Sequence, residues 1–273
     1  MSLLQRILER TRSPWIRCLL LAVIGIAARW PALSGELIWD DASLVRDNPF
    51  VKSPLLFLES FRHYLALDGS STHYRPVQNI SYFFDYLLWN ADPFGYHLSN
   101  VLWHVGSGLL LFLLLRRLLE PFRDRFQEKP DMLSMVAFVV ALLWMVHPVH
   151  SAAVDYISGR ADSLAFFFAC GAWLSYLKAR SMGTTRLGRY GLWALAGMLA
   201  LASLCSRETG CVWLALFLFH LLMLDRESSR RAKWLVASVS VALVAVYAGL
   251  RQLPADPLHV SPAASLPLAE RAA

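Results

Sequence analysis

The sequence has little charge for its length. Only 17% of its 273 residues are Asp, Glu, Lys or Arg, whereas 56% are hydrophobic. A soluble domain would carry about 25% charged residues, and the apolar excess lies in long runs, so we predict a multi-pass membrane protein. The net charge of +6 does not indicate nucleic-acid binding, because the basic residues form short clusters between apolar runs.

Signatures of metal binding are also missing. The sequence has no HExxH motif and no Asp-x-Asp triplet, so no motif in it calls for a metal cofactor, although the adjacent pair Asp40-Asp41 could hold a divalent cation. No internal repeat is visible. The cysteines lack metal-ligand spacing and are interpreted as small buried residues in or beside apolar runs. They are Cys18, Cys170, Cys205 and Cys211.

Seven apolar runs are long enough to cross a bilayer, which takes about 17–25 residues. They predict an all-α polytopic bundle, a transmembrane domain over 1–251 with a long extracytoplasmic loop at 34–95. The Pro- and Ala-rich tail at 252–273 has no helical period and is expected to be disordered. The predicted spans are 15–33, 96–119, 132–149, 163–179, 190–205, 209–224 and 234–250.

The distribution of Lys and Arg predicts the orientation. Of 26 basic residues, 17 lie at the N-terminus and in the loops near 120–130, 180–190 and 225–233, and 8 lie in the opposite loops. The positive-inside rule therefore places the N-terminus in the cytoplasm and loop 34–95 outside. Within that loop, Pro54 and Pro76 each open an apolar-periodic stretch, which predicts interfacial helices near 54–65 and 76–89.

Polar groups from four separate segments converge on the predicted outer face. A carboxylate at mid-membrane costs about 2.5–3.5 kcal/mol on insertion scales, so groups near the bilayer are expected to have a function. His97, Asn100 and His104 are spaced i, i+3, i+7 and share one helix face. The other members of this set are Asp40, Asp41, Arg75, Asp85, His147, His150, Asp155, Arg160, Asp162, Arg207 and Glu208.

Each part of this set also has a simpler interpretation. His97, Asn100 and His104 could be hydrogen-bonding groups between helices, and Arg207-Glu208 could be an ion pair in a tight turn. Asp40-Asp41 could be a solvated turn. His147 and His150 could begin a zinc site with His97, but no further ligand pattern supports it. It is the joint occurrence that favours an active site.

The order of the motifs resembles a known family. Six motifs follow one another in an order that resembles the transmembrane O-mannosyltransferases that carry tetratricopeptide repeats, and their bacterial relatives. The motifs are Trp39-Asp40-Asp41, Tyr74-Arg75-Pro76, the run 93–100 with His104, His147-Pro148-Val149-His150, the run 156–162 and Ser206-Arg207-Glu208. These are GT-C glycosyltransferases that use polyprenyl-phosphate sugars. The resemblance covers about residues 15–225.

This resemblance implies an inverting transfer of a mannose-like hexose from a polyprenyl-phosphate donor to a hydroxyl of a protein or glycan acceptor. Asp40 or Asp41 would be the catalytic base. The donor phosphate would be bound by Arg75, Arg160, Arg207 and His150. Supporting roles would fall to His97, Asn100, His104, His147, Asp155 and Glu208. The protein would reside in a bacterial inner membrane or in the endoplasmic reticulum membrane.

Two departures from the family pattern keep other functions open. Ala152 stands where the family usually has a glutamate, and Asp155, one helical turn on, is the nearest substitute. The family also continues beyond the seventh span, so we expect a truncated product or a fragment. An inactive module that binds lipid-phosphate sugars or anchors a partner is one alternative. A transporter is the other, although His220 is the only ionisable residue at mid-membrane in spans three to seven.

Overall fold

The protein is described by a computed structural model that covers residues 13–65, 73–122, 131–181 and 183–254, without the side chains of Leu55 and Phe57. Over these residues the chain forms helices and turns and no strand, so the predicted all-α class is confirmed. The α-helices are α1 (Pro14–Arg29), α2 (Pro76–Trp89), α3 (Pro93–Leu119), α4 (Met132–Val146), α5 (Ser151–Val154), α6 (Arg160–Arg180), α7 (Arg186–Ser206), α8 (Gly210–Phe219) and α9 (Arg230–Leu250).

Local signals explain where these helices begin. Proline occupies the first turn of α1, α2 and α3, where its missing N–H costs nothing. The Asp92 side chain accepts a hydrogen bond from the amide of Phe94 at the start of α3. Thr185 and Ser229 cap α7 and α9 in the same way, each accepting from the amide three residues on.

Four helices are long and apolar enough to cross a membrane: Pro14–Ser34, Pro93–Phe122, Arg186–Ser206 and Arg230–Leu250. A fifth candidate is the pair Met132–Val146 and Pro148–Val154, which is bent by 49°. The chain is therefore a membrane protein.

The predicted count of seven spans is not confirmed and stays a prediction. The two remaining predicted spans lie within α6 and within Gly210–Leu224, which are not among the helices that combine the length and the apolar composition of a span. Helix α6 carries charges near both ends, at Arg160, Asp162, Lys178 and Arg180. The segment Gly210–Leu224 is apolar but short.

The helices pack around α3 and α6. Helix α3 contacts α1, α4 and α6, and α6 packs along α7, which in turn contacts α8 and α9. In α7 and in α9, only 11% of the most apolar 18-residue stretch is buried inside the protein. Large apolar side chains such as Leu187 and Trp234 are accordingly exposed, as expected for helices that face lipid.

The described parts of the predicted loop, residues 34–65 and 73–95, fold against one end of this bundle. Leu44, Val45 and Val51 pack with Tyr82 of α2 and Tyr96 of α3 in a buried cluster. Helix α2 has the bounds predicted from the sequence, but the helix predicted near 54–65 is a shorter 3₁₀ helix over Pro54–Phe61. The predicted disordered tail lies outside the described residues, except for 252–254.

Candidate active site

Arg160, at the start of α6, is fully buried and held by groups from α2 and α3. Its Nη1 lies 2.5 Å from a carboxylate oxygen of Asp85 and donates to the hydroxyl of Ser81 at 3.1 Å. Its Nε donates to Asn100 Oδ1 at 2.6 Å, and Nη2 donates to the carbonyl of Tyr96 at 2.9 Å. The guanidinium also stacks over the ring of Tyr82 at 4.7 Å, so it presents no surface to a ligand.

The backbone just before Arg160 is held by side chains of the same helices. Asn100 Nδ2 donates to the carbonyls of Val154 and Tyr156 at 3.2 and 3.0 Å. Gln78 donates to the carbonyl of Ser158 at 2.7 Å, and the Tyr82 hydroxyl donates to Ile157 at 3.0 Å. The 3₁₀ turn Ile157–Gly159 is thereby fixed to α2 and α3.

Gly159 is required in this turn because of a close backbone approach. A Cβ added at Gly159 would lie 1.9 Å from the carbonyl oxygen of Ala152. Any side chain would therefore push α5 and the turn apart.

The adjacent carboxylates Asp40 and Asp41 have different surroundings. Asp41 is fully buried. One of its oxygens accepts from the amide of Ser158 at 3.0 Å, and the other accepts from Ile38 at 3.3 Å. Burial raises the pKa of Asp41 to about 6, although these backbone hydrogen bonds oppose the rise. Asp40 is exposed, so Asp41 ties the loop to the Ile157–Gly159 turn while Asp40 faces solvent.

The histidines form a group near the bend after α4. His104 Nε2 lies 2.8 Å from the carbonyl of Met145, and its ring stacks on Trp144 at 4.9 Å. The ring of His150 lies 5.2 Å from that of His104, and His147 uses its Nδ1 to accept from the amide of Val149.

His97 is buried apart from these rings, against Gly35. A Cβ at Gly35 would lie 2.5 Å from His97 Nε2. The loop therefore approaches α3 closely at this point, and a larger residue at position 35 would displace the ring of His97.

Arg29, at the end of α1, joins the histidine group. It donates to the carbonyl of His147 at 2.8 Å and to the hydroxyl of Ser151 at 3.1 Å. Asp155 lies 3.9 Å from its guanidinium and is 45% exposed. The sequence placed Arg29 only within the first span, and nothing in the local pattern indicates these partners, which lie about 120 residues away.

A third group joins α2 to the turn between α7 and α8. Arg75 pairs with Glu208 at 3.3 Å, and Arg207 pairs with Asp162. Burial raises the pKa of Glu208, but its own backbone amide and Arg75 outweigh this effect and hold the value below its usual range. The side chain of Arg207 is 32% exposed and that of Arg75 is 12% exposed, so this group remains accessible.

The structure therefore brings the predicted residues to one end of the bundle as three groups, with His97 buried separately against Gly35. Asp85, noted in the sequence but given no role there, is the partner of Arg160, and Gln78 and Ser81 were missed. These three residues follow the same i, i+3, i+7 spacing on α2 as the recognised set on α3, and that signal could have found them. Within the described ranges, no three His, Cys, Asp or Glu side chains lie close enough to hold a metal ion.

The fold and this polar end define a helical membrane protein, and its relatives are named for one activity. The chain is 34% identical to the protein O-mannosyl-transferase Tmtc3 of Drosophila melanogaster, over 67% of this chain and 22% of that protein. It is 33% identical to a Caenorhabditis elegans protein O-mannosyl-transferase, over 64% of this chain and 25% of the relative. It is 35% identical to the mouse protein O-mannosyl-transferase TMTC1, over 56% of this chain and 16% of that protein.

These relatives confirm the resemblance to membrane O-mannosyltransferases that the motifs indicated. The chain spans no more than about a quarter of the length of each of these three proteins. No protein-family model and no solved structure matches it.

Proposed function

We propose that the chain forms the membrane part of a glycosyltransferase that moves a mannose-like hexose from a polyprenyl-phosphate donor to an acceptor hydroxyl, with inversion. The names of the relatives support the transferase class. The observation that carries the proposal is the arrangement at Asp40 and Asp41. An exposed carboxylate stands beside a buried one that anchors its turn to the Ile157–Gly159 backbone.

Asp40 is the proposed base. Its backbone carbonyl accepts from the amide of Leu44 at 2.9 Å and from the hydroxyl of Ser43 at 2.8 Å, which fixes the turn while the carboxylate stays exposed. It would take the proton of the acceptor hydroxyl as that oxygen attacks the anomeric carbon, opposite the leaving phosphate. Asp41 positions the turn, because both its oxygens already accept backbone N–H groups.

Arg75 and Arg207 are the proposed ligands of the donor phosphate. Both remain partly accessible, and their partners Glu208 and Asp162 are carboxylates that a phosphate can replace. We assign Arg160 a positioning role instead, because its guanidinium is fully buried against Asp85. His150, which is half-buried, stays a candidate for a second phosphate contact.

The lipid tail of the donor has a matching space below Arg207. A cavity of about 320 Å³ lies among α6, α7, α8 and α9, and its lining is almost entirely apolar. Ser203 and Gly210, which flank the turn that carries Arg207, line it, as do Trp173, Trp213 and Phe217. A prenyl chain in this cavity would lie between helices while its phosphate met Arg207.

The proposal is tested by transfer of labelled mannose from a polyprenyl-phosphate donor to a peptide acceptor, using membranes that contain the chain. Asp40→Asn should lower turnover by about 10²–10⁴-fold, the usual contribution of a positioned base. Asp47→Asn, an exposed aspartate in the same loop, is the control. Repeating the assay with added EDTA and Mg²⁺ tests for a cation at Asp40-Asp41.

Donor binding without transfer would instead support the inactive lipid-phosphate module, which Ala152 favours. A chain that shows no donor binding and no transfer would overturn the proposal. Equal turnover in Asp40→Asn and in Asp47→Asn would exclude Asp40 as the base.

The orientation forms part of the proposal, with the N-terminus in the cytoplasm and Asp40 outside. A single cysteine at the exposed position Ser43, in a background without the four native cysteines, should react with an impermeant thiol reagent added from outside. Reaction only after permeabilisation would reverse the orientation.

A further inference from the structure

A second polar cluster lies at the opposite end of the bundle from the candidate active site. On α3, Arg116 is 19 residues beyond His97, which at 1.5 Å per residue is about 28 Å along the helix axis. On α6, Lys178 is 18 residues beyond Arg160, or about 27 Å. Arg116 and Lys178 therefore lie at the other membrane boundary.

These two residues line an open cavity of about 660 Å³ bordered by residues in or next to α3, α4, α6 and α7. Its lining contains five charged side chains beside the apolar ones, whereas the cavity among α6–α9 has one, that of Arg180. The members that matter here are Arg116, Arg117, Lys178, Leu174, Leu192 and Leu195.

The charges of the lining do not cancel. The carboxylate of Glu120 pairs with Arg117 at 3.3 Å. That of Asp131 pairs at 2.6 Å with Arg17, whose guanidinium is buried.

Arg116 and Lys178 form no ion pair with any residue that the structure describes. The Arg116 guanidinium lies 5.6 Å from the centre of the Phe112 ring. Two cations thus face the cavity without an acidic partner in the described ranges.

We propose that this cavity binds the phosphate headgroup of an anionic membrane lipid from the adjacent leaflet. Arg116 and Lys178 would pair with the phosphate oxygens, and the leucines would contact the first acyl segments. Basic pockets between helices at a membrane boundary are suited to such headgroups. A lipid fits better than a free phosphate, because only a lipid uses the apolar part of the lining. This proposal does not depend on the proposed transferase activity.

The test is native mass spectrometry of the purified chain in detergent, titrated with phosphatidylglycerol. We expect retention of phosphatidylglycerol and much weaker retention of phosphatidylcholine. The double variant Arg116→Gln/Lys178→Gln should weaken phosphatidylglycerol binding roughly ten- to hundredfold, the value of one or two charge-assisted hydrogen bonds. Arg226→Gln/Arg230→Gln removes two exposed cations that do not line the cavity and should change binding less than twofold.

Two further arms separate the alternatives. The charge-conserving double variant Arg116→Lys/Lys178→Arg should keep most of the binding, which distinguishes lost charge from a damaged fold. Glycerol phosphate without acyl chains should compete poorly. Strong competition by glycerol phosphate would overturn the lipid assignment. Equal losses in the glutamine variant and its control would overturn the site.

Discussion

Arg160 and Asp85 form an ion pair of 2.5 Å in the protein interior, with side chains that are 0% and 7% exposed. The pair joins α6 to α2, and so connects the membrane bundle to the folded loop. Neutral partners complete the shell of the guanidinium, since Ser81, Asn100 and the carbonyl of Tyr96 accept its other hydrogen bonds. Its position makes the pair the central link of the candidate site.

Removing the carboxylate should destabilise the fold strongly. Asp85→Asn leaves the Arg160 charge buried without a counter-charge, and breaking a buried pair in this way costs about 3–5 kcal/mol. The measurement is the free energy of unfolding in detergent. Asp47→Asn removes an exposed ion pair with Arg46 and should leave the free energy of unfolding almost unchanged.

The double variant Asp85→Leu/Arg160→Met provides the second arm of this test. It removes both charges together and should be less destabilised than Asp85→Asn, because no unpaired charge remains. If Asp85→Asn is as stable as Asp47→Asn, the pair does not hold α6 to α2.

The sequence predicted the helices far better than it predicted these partners. Helix bounds follow from local signals such as Pro76 and Pro93, and convergence on one membrane face follows from topology. The i, i+3, i+7 spacing on α2 can single out Asp85, but Arg160 lies 75 residues away, so no local pattern pairs the two residues. Similarly, the sequence does not show which of the adjacent carboxylates of Asp40 and Asp41 is buried, because that depends on where the amide of Ser158 lies. The catalytic and binding roles of these residues stay predictions.

Gly159→Ala should disrupt the turn before Arg160. The added Cβ would lie 1.9 Å from the carbonyl oxygen of Ala152, and backbone atoms cannot yield as a flexible side chain can. Overpacking of this kind costs about 1–3 kcal/mol or more. Gly191→Ala in α7 is the matched control, since a Cβ there meets nothing within 4 Å. It should be neutral or stabilising by up to about 1 kcal/mol.

Thermal unfolding of both variants in detergent checks this expectation. A melting temperature for Gly159→Ala equal to that of Gly191→Ala would contradict the close approach of α5 and the turn.

Asp41 should make stability depend on pH. Burial raises its pKa to about 6 in the folded protein, against about 3.9 in an unfolded chain. The folded state therefore binds this proton more tightly, and the contribution favours folding at low pH. It is lost as the pH rises from about 4 through 6, by an amount on the order of 2 kcal/mol.

The measurement compares wild type with Asp41→Asn, which cannot titrate, at roughly pH 4.5, 5.5, 6.5 and 7.5. Groups common to both proteins cancel in the difference of unfolding free energies. That difference should move in favour of wild type as the pH falls. A difference that is constant with pH would show that Asp41 has an ordinary pKa.

The last prediction concerns Glu208, which pairs with Arg75 and would compete with the donor phosphate for it. In a chain shown to transfer sugar, Arg75→Gln or Arg207→Gln should raise the donor KM about tenfold or more, through loss of a charge-assisted hydrogen bond. Glu208→Gln should lower the donor KM instead, because Arg75 is then free to bind phosphate. Arg46→Gln, an exposed cation of the same loop, is the control and should leave KM unchanged. Arg75 is either a phosphate ligand or only the structural partner of Glu208, and the direction of the Glu208→Gln effect decides between these roles. A raised donor KM would mean that the ion pair only maintains the site. Arg75 would then be excluded as a phosphate ligand.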